Sequence, residues 1–375
     1  MSRQKSSGRF RFVAASILLA ALIFVVPALQ NGHYTLYLLA VLIPCAMFLS
    51  ETVLARMFSL DRMVMALVLY LCVLGIASLA LTDPDAAVAQ ALRCGAGLAA
   101  LLIGGILIRS LFPSLLTASC AAFLGLLLLA GKLLSPSLSL PLSEASLALL
   151  LIAFAALFAR QGPVSALLAG IAGLVLLLIR GETAEAALWG ITVLLLVFAA
   201  DGRLVVVLPA LALELLLFFG VFRLFPGATL SNESLNILAS AGAIGSDLLP
   251  EGIRALDSVS LFPRLTGHYG LIFSGLSALL FLPLALRGTS VAACARTRFH
   301  AVLAMGAVLL LSLRSISALL SVFGFLPLAG LRLPFLTASL PDLCAEFFLA
   351  GLLCGVSGRS DADLAEDAHL AMLAK

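Results

Sequence analysis

Charge is scarce in this sequence, so each charged group set among apolar residues is informative. Of 375 residues, 22 are Lys or Arg, 19 are Asp or Glu, and 63% are hydrophobic. Glu214, Arg314 and Glu346 fall inside long apolar runs. Ionisable groups at membrane depth are costly, and they mark internal pairs or polar cavities. Arg314 and Glu346 occupy successive runs, and helical rise counted from the turn between them puts both about 15–20 Å deep. The spacing predicts a buried Arg314–Glu346 pair that pins two helices together or lines a polar cavity. A second set of groups lies in the long segment 226–267: Glu233, Asp247, Glu251, Arg254, Asp257 and Arg264. Carboxylates can accept a proton and guanidinium groups bind anions, so this mixture suits chemistry on an anionic or lipid-linked substrate at a membrane surface. A shorter connection, Gly131 to Glu144, carries Lys132 and Glu144.

Other chemistries lack their residues. None of the seven cysteines forms a CxxC pair, and the four histidines have no metal-ligand spacing. There is no phosphate-cradling glycine loop and no nucleophile elbow. The expectation is a protein with no cofactor, a divalent cation being the one alternative left open, no metal site among its residues and no nucleic-acid partner.

The elements that position these groups follow from hydropathy. Charged residues make up 11% of the chain and mean hydropathy is +1.20, against roughly 25% charged in an ordinary soluble domain. Lipid must solvate such a chain, and a spanning helix needs about 20 apolar residues. Twelve segments qualify: 12–29, 34–55, 63–82, 92–112, 115–134, 140–159, 164–180, 184–200, 204–225, 268–286, 299–322 and 336–356. The runs are continuous instead of alternating, which excludes a β-barrel. The fold class is an all-α polytopic membrane protein of about twelve transmembrane helices. Arg3, Lys5, Arg9 and Arg11 precede the first span, and the positive-inside rule puts both termini in the cytoplasm. Threaded so, fourteen Lys or Arg fall inside and seven outside. The first span reads as a retained helix, since no clear small-residue cleavage site follows it. The polar tail from Ser357 reads as mobile.

Several motifs occur in one order. Leu326-Pro327-Leu328-Ala329-Gly330-Leu331-Arg332-Leu333-Pro334-Phe335 resembles an "LLPxTGxxLPF" signature. Asp61 with Leu67 to Leu79 looks like a "D…LLLxxxGLxMxxS" opening, and Pro141-Leu142-Ser143-Glu144 looks like "QPSE". Gly181-Glu182-Thr183 sits where "PDxGT" is expected, and Gly267-His268-Tyr269-Gly270 resembles "EExGxxG". Together these resemble the SEDS proteins, the FtsW/RodA/SpoVE family of shape, elongation, division and sporulation. The resemblance implies a ten-helix core over 61–357, preceded by two added helices in 1–60. It also implies a large external loop over 226–267 and a cytoplasmic tail over 358–375.

That family implies a peptidoglycan glycosyltransferase of the bacterial cytoplasmic membrane. It would use lipid II, or another undecaprenyl-linked substrate, beside a class B penicillin-binding protein and membrane lipids. Asp257, near the family's "TDFIF" acid, and Glu144 then become the candidate catalytic carboxylates. Lys132, Arg254, Arg264 and Arg332 become the candidate cations for the pyrophosphate. The sequence also departs from the pattern: Leu147 stands where a lysine follows "QPSE", and Ala318 replaces an asparagine. A catalytically degenerate scaffold or regulator of wall synthesis, or a lipid flippase or transporter, are the other readings.

Overall fold

A computed structural model describes residues 17–18, 20–25, 34–80, 83–111, 113–134, 142–202, 208–212, 242–243, 261–323, 325 and 331–373, without the side chains of 132–134 and 359–373. Regular structure among them is helical. Eight helices are long and apolar enough to cross a membrane, and two shorter apolar helices accompany them. They coincide with ten of the twelve apolar segments. The remaining two, 12–29 and 204–225, lie mostly outside the described residues.

Helix α1 runs Tyr34–Leu49 and continues through a π-helical turn, Ser50–Leu54, to Ala55–Met57. The core follows as α2 (Arg62–Ala80), α3 (Pro84–Ser110), α4 (Leu115–Leu134), α5 (Ser143–Gln161), α6 (Pro163–Ile179) and α7 (Thr183–Asp201). The last four are α8 (Leu261–Ala278), α9 (Phe281–Ala293), α10 (Arg298–Val322) and α11 (Leu340–Leu373).

Local chemistry sets several boundaries. Asp83 precedes α3, and its Oδ1 accepts from the N–H groups of Asp85 and Ala86 at 3.1 and 3.0 Å, with Pro84 in the first turn. Asp-Pro here starts a helix, so α3 begins eight residues before the expected 92. Gly162 and Gly202 take left-handed conformations at the ends of α5 and α7. The segment expected to start at 268 instead begins at Leu261 and kinks at Gly270, where φ is 84°. Arg264 and the stretch 261–267 are therefore helical, not part of the loop. Lys132 likewise belongs to the last turn of α4, not to the connection after it.

Two poles result. One holds the starts of α3, α5, α7, α8 and α11 with the ends of α2, α6 and α10. The other holds Asp61, the starts of α4, α6 and α10, and the ends of α3, α5, α7 and α9. Helices α2, α5 and the apolar part of α11 are the most enclosed, whereas α3 and the α8–α9 pair leave most of their apolar surface outside the protein interior. Helix α11 lies along α3. A Cβ on Gly351 would collide with the Leu101 carbonyl, so glycine sets how closely these two axes approach. Beyond Gly358, α11 stays helical to Leu373, where sequence suggested a mobile tail. Its 34 residues would extend about 50 Å, more than the hydrocarbon core needs.

Candidate active site

The first pole gathers the buried charge. Glu144 stands in the first turn of α5 and Glu185 in the first turn of α7. A helix start favours a carboxylate, because the macrodipole is positive there. Arg314 reaches both from two turns inside α10: Nη1 donates to Glu144 Oε1, and Nη2 donates to Glu185 Oε2 at 2.6 Å. Arg314 and Glu144 are 5% and 6% exposed, so this bridge ties three helices together away from solvent. A guanidinium suits the place because its planar fork serves two acceptors in fixed directions.

The expected Arg314–Glu346 pair is corrected. Glu346 is buried in the same cluster and within electrostatic reach of Arg314. Its Oε2, however, accepts from the Phe335 N–H at 2.6 Å, and its Oε1 has no hydrogen-bond partner. Counting along α10 and α11 could not register the nearer carboxylates brought by α5 and α7. The depth was overstated too, because α11 begins only at Leu340, about 9 Å along the axis from Glu346.

Residues 331–339, which lead into α11, are braced against this cluster. Arg332 Nη1 donates to Asp342 Oδ2 at 2.5 Å, and Gln90 Nε2 of α3 donates to the Thr337 carbonyl at 2.8 Å. Phe335 takes φ 66°, which side chains other than glycine adopt at a cost. Its ring is fully buried edge-on to Phe347, with centroids 5.6 Å apart, and with the Glu346 bond this holds the conformation. Below the turn is a cavity of about 10 Å³, room for about one water. Its lining is Glu144, Leu147, Leu310, Leu311, Arg314, Glu346 and Leu349.

The sequence-predicted residues divide clearly. Glu144, Arg314, Arg332 and Glu346 converge at this pole. Arg264, buried in α8, feels Asp83 at the start of α3 and sits on the helix whose Leu261 lies beside Gly75 and the Phe335 turn. Asp257, Arg254 and Glu214 lie outside the described residues, as does the side chain of Lys132. No group of three or more His, Cys, Asp or Glu among the described residues is arranged to hold a metal ion.

Sequence reading passed over Glu185. The signal was present: an acid one turn after Gly181, at a helix start, on the same side as Glu144. It also passed over Glu51, which is 1% exposed in the π-helical turn of α1.

The opposite pole holds a second pair. Arg287 of α9 donates to Asp61 Oδ2 through Nε at 2.9 Å and Nη2 at 2.5 Å, and Ser357 Oγ donates to the same oxygen at 2.9 Å. Asp61 Oδ1 accepts from the Met63 and Val64 N–H groups and so starts α2. Burial alone would raise this carboxyl. Arg287, Ser357 and the Val64 N–H outweigh it and hold the group below the usual aspartate range.

Residues 261–361 match the FtsW/RodA/SpoVE cell cycle protein family. The fold of Thermus thermophilus rod shape determining protein RodA superposes with a TM-score of 0.60 at 20% identity, covering 80% of this chain and 97% of that one. Over residues 261–361 the chain is similar to the FtsW/RodA/SpoVE family, and its fold is RodA-like. A chain of a peptidoglycan synthase complex that coordinates polymerization and crosslinking gives a TM-score of 0.55 at 20% identity over 80% of this chain and 98% of that one. Probable peptidoglycan glycosyltransferases FtsW of Geobacter sulfurreducens and Geobacter metallireducens are 39% and 40% identical over 90 residues. Each of those matches spans 24% of this chain and 24% of its relative. The family match covers α8 to α11, hence Arg264, Arg314, Arg332, Asp342 and Glu346. Glu144 and Glu185, which complete the cluster, come from outside it.

Proposed function

We propose that this protein is a lipid II-polymerising peptidoglycan glycosyltransferase of the cytoplasmic membrane, serving division, shape or sporulation. The single observation that carries the reading is the joining of Glu144 to the family-matched helices by Arg314, beside the Phe335 turn. The family's named relatives and the RodA fold support the same activity. In the reaction, an acceptor sugar hydroxyl attacks the anomeric carbon of the donor. The bond to the pyrophosphate breaks and its electron pair leaves with the phosphate oxygen. The hydroxyl proton passes to a carboxylate. Asp257 is assigned as that base. Glu144, kept ionised by Arg314, orients the acceptor. Lys132, Arg254, Arg264 and Arg332 are assigned to the pyrophosphate, which Arg can bind through two N–H groups at once. No step requires a metal or other cofactor. The termini lie in the cytoplasm, the site faces outward, and a class B penicillin-binding protein is the partner.

The test is the purified chain with lipid II, with glycan strands resolved on a gel. Polymer is expected from the wild type. Asp257→Ala should abolish it, and Glu144→Gln, which keeps an acceptor for Arg314 but removes the charge, should slow it by about 10²–10³-fold in a protein that thermal unfolding shows to be folded. One observation favours a second reading, a scaffold without transferase activity. Glu144 and Arg332 are both already engaged by internal partners, and the cavity between the helices is small. Absence of polymer even with a class B penicillin-binding protein present decides for the scaffold.

A further inference from the structure

Arg314 has no assigned contact with substrate, yet it is the group on which the buried acids converge. Glu144 faces a cavity walled mainly by Leu147, Leu310, Leu311 and Leu349. A carboxylate in such surroundings stays charged only with a cation or several donors beside it, because burial disfavours the ionised form. Arg314 supplies that cation from another helix, 170 residues away in sequence. Its other arm is held by Glu185 at 2.6 Å, so the guanidinium is fixed from two sides and cannot swing from Glu144 without leaving Glu185 unbalanced. Among the lining residues, Leu147 is one turn along α5 from Glu144, and side chains three apart on a helix are neighbours. A cation at 147 could therefore reach the same carboxylate from its own helix.

We propose that Arg314 is the positioning residue of this site, holding Glu144 ionised and aimed at the cavity, and that a cation relocated to position 147 can replace it. The catalytic part of this inference rests on the glycosyltransferase reading; the electrostatic part does not. Glu185→Gln is introduced throughout, so that removing the arginine leaves no second carboxylate hydrogen-bonded to it uncompensated; Glu346, which lines the same cavity and feels Arg314, keeps its bond from the Phe335 N–H in every variant. Arg314→Leu/Glu185→Gln should lower kcat by about 100-fold or more with little change in KM. It should also move the acid limb of the rate profile to higher pH, because Glu144 then takes a proton more readily. Adding Leu147→Lys should return the rate to within about tenfold of Glu185→Gln alone and bring the acid limb back.

Infrared spectroscopy reads the same point without substrate. A protonated carboxyl band, assigned through Glu144→Gln, is expected in Arg314→Leu/Glu185→Gln and absent once Leu147→Lys is added. Thermal unfolding of each variant shows that a folded protein is measured. If the variant without the lysine does not fold, the folded triple variant alone decides: activity within tenfold of Glu185→Gln supports the inference. A folded triple variant no faster than the arginine-less protein, with its acid limb unmoved, overturns it. If the wild type makes no polymer, the glycosyltransferase reading fails, and the carboxyl band settles the inference separately. Its appearance and disappearance as described support it, and an unchanged band overturns it.

Discussion

Single residues at the two poles use the same device, a guanidinium from a distant helix on a carboxylate at a helix start. At the first pole Arg314 serves Glu144 and Glu185; at the second, Arg287 serves Asp61. Asp61 allows a test with a defined sign. Its folded pKa lies below the ordinary value, so its contribution to stability is present above the unfolded pKa of about 4 and fades as pH falls through the folded one. Asp61→Asn should cost about 1–3 kcal/mol at neutral pH, as expected for hydrogen bonds to a charged group. The gap in unfolding temperature from the wild type, measured in detergent, should narrow as pH falls below about 4 and close only below the folded pKa. A gap independent of pH would assign the loss to packing. Glu144 was visible in sequence through its place in a motif. The partner of Arg314 was not, because two candidate acids, Glu185 among them, sit in other helices whose facing sides hydropathy does not reveal.

Helices are the scale at which sequence was most legible. Apolar run length placed ten described helices, because spanning lipid is a requirement on consecutive residues. Boundaries failed where capping chemistry overrode hydropathy. Asp83-Pro84 reads as a break on a hydropathy scale and as a start on stereochemical grounds. Gly270 reads as part of a helix start and is a kink within α8. Close approach of α3 and α11 gives a further test. Gly351→Ala puts a methyl group against the Leu101 carbonyl, whereas a Cβ on Gly95 of α3 would meet nothing within 4 Å. Gly351→Ala should lower stability by about 1–3 kcal/mol. Gly95→Ala should be neutral or raise it by up to about 1 kcal/mol through helix propensity. Thermal unfolding of the two variants side by side separates overpacking from a general effect of losing glycine.

Over the whole molecule, the RodA-like fold covers 80% of the chain, and α1 attaches through Leu36, Leu39, Ala40, Ile43 and Met47. The division into an added pair of helices and a ten-helix core makes a prediction at this scale. A chain beginning at Asp61 should insert, elute as a single species and, on the proposed function, keep the full chain's polymerisation rate within about tenfold, since no site residue precedes α2. Its unfolding temperature should fall, because the side chains that α1 covers on α2 and α3 lose protein contacts and gain only lipid. Loss of activity with the fold retained would place α1 in the mechanism, with buried Glu51 the first residue to examine. By itself the sequence determined the solvent of this protein, the order of its helices and one of its central acids. Those properties are sums or motifs along neighbouring residues. Tertiary structure alone decided that Arg314 joins Glu144 and Glu185 instead of Glu346, and that Glu346 holds the Phe335 turn. Pairing of buried charges depends on which faces of four helices converge, and that convergence is a property of the packed bundle, not of any run of residues within it.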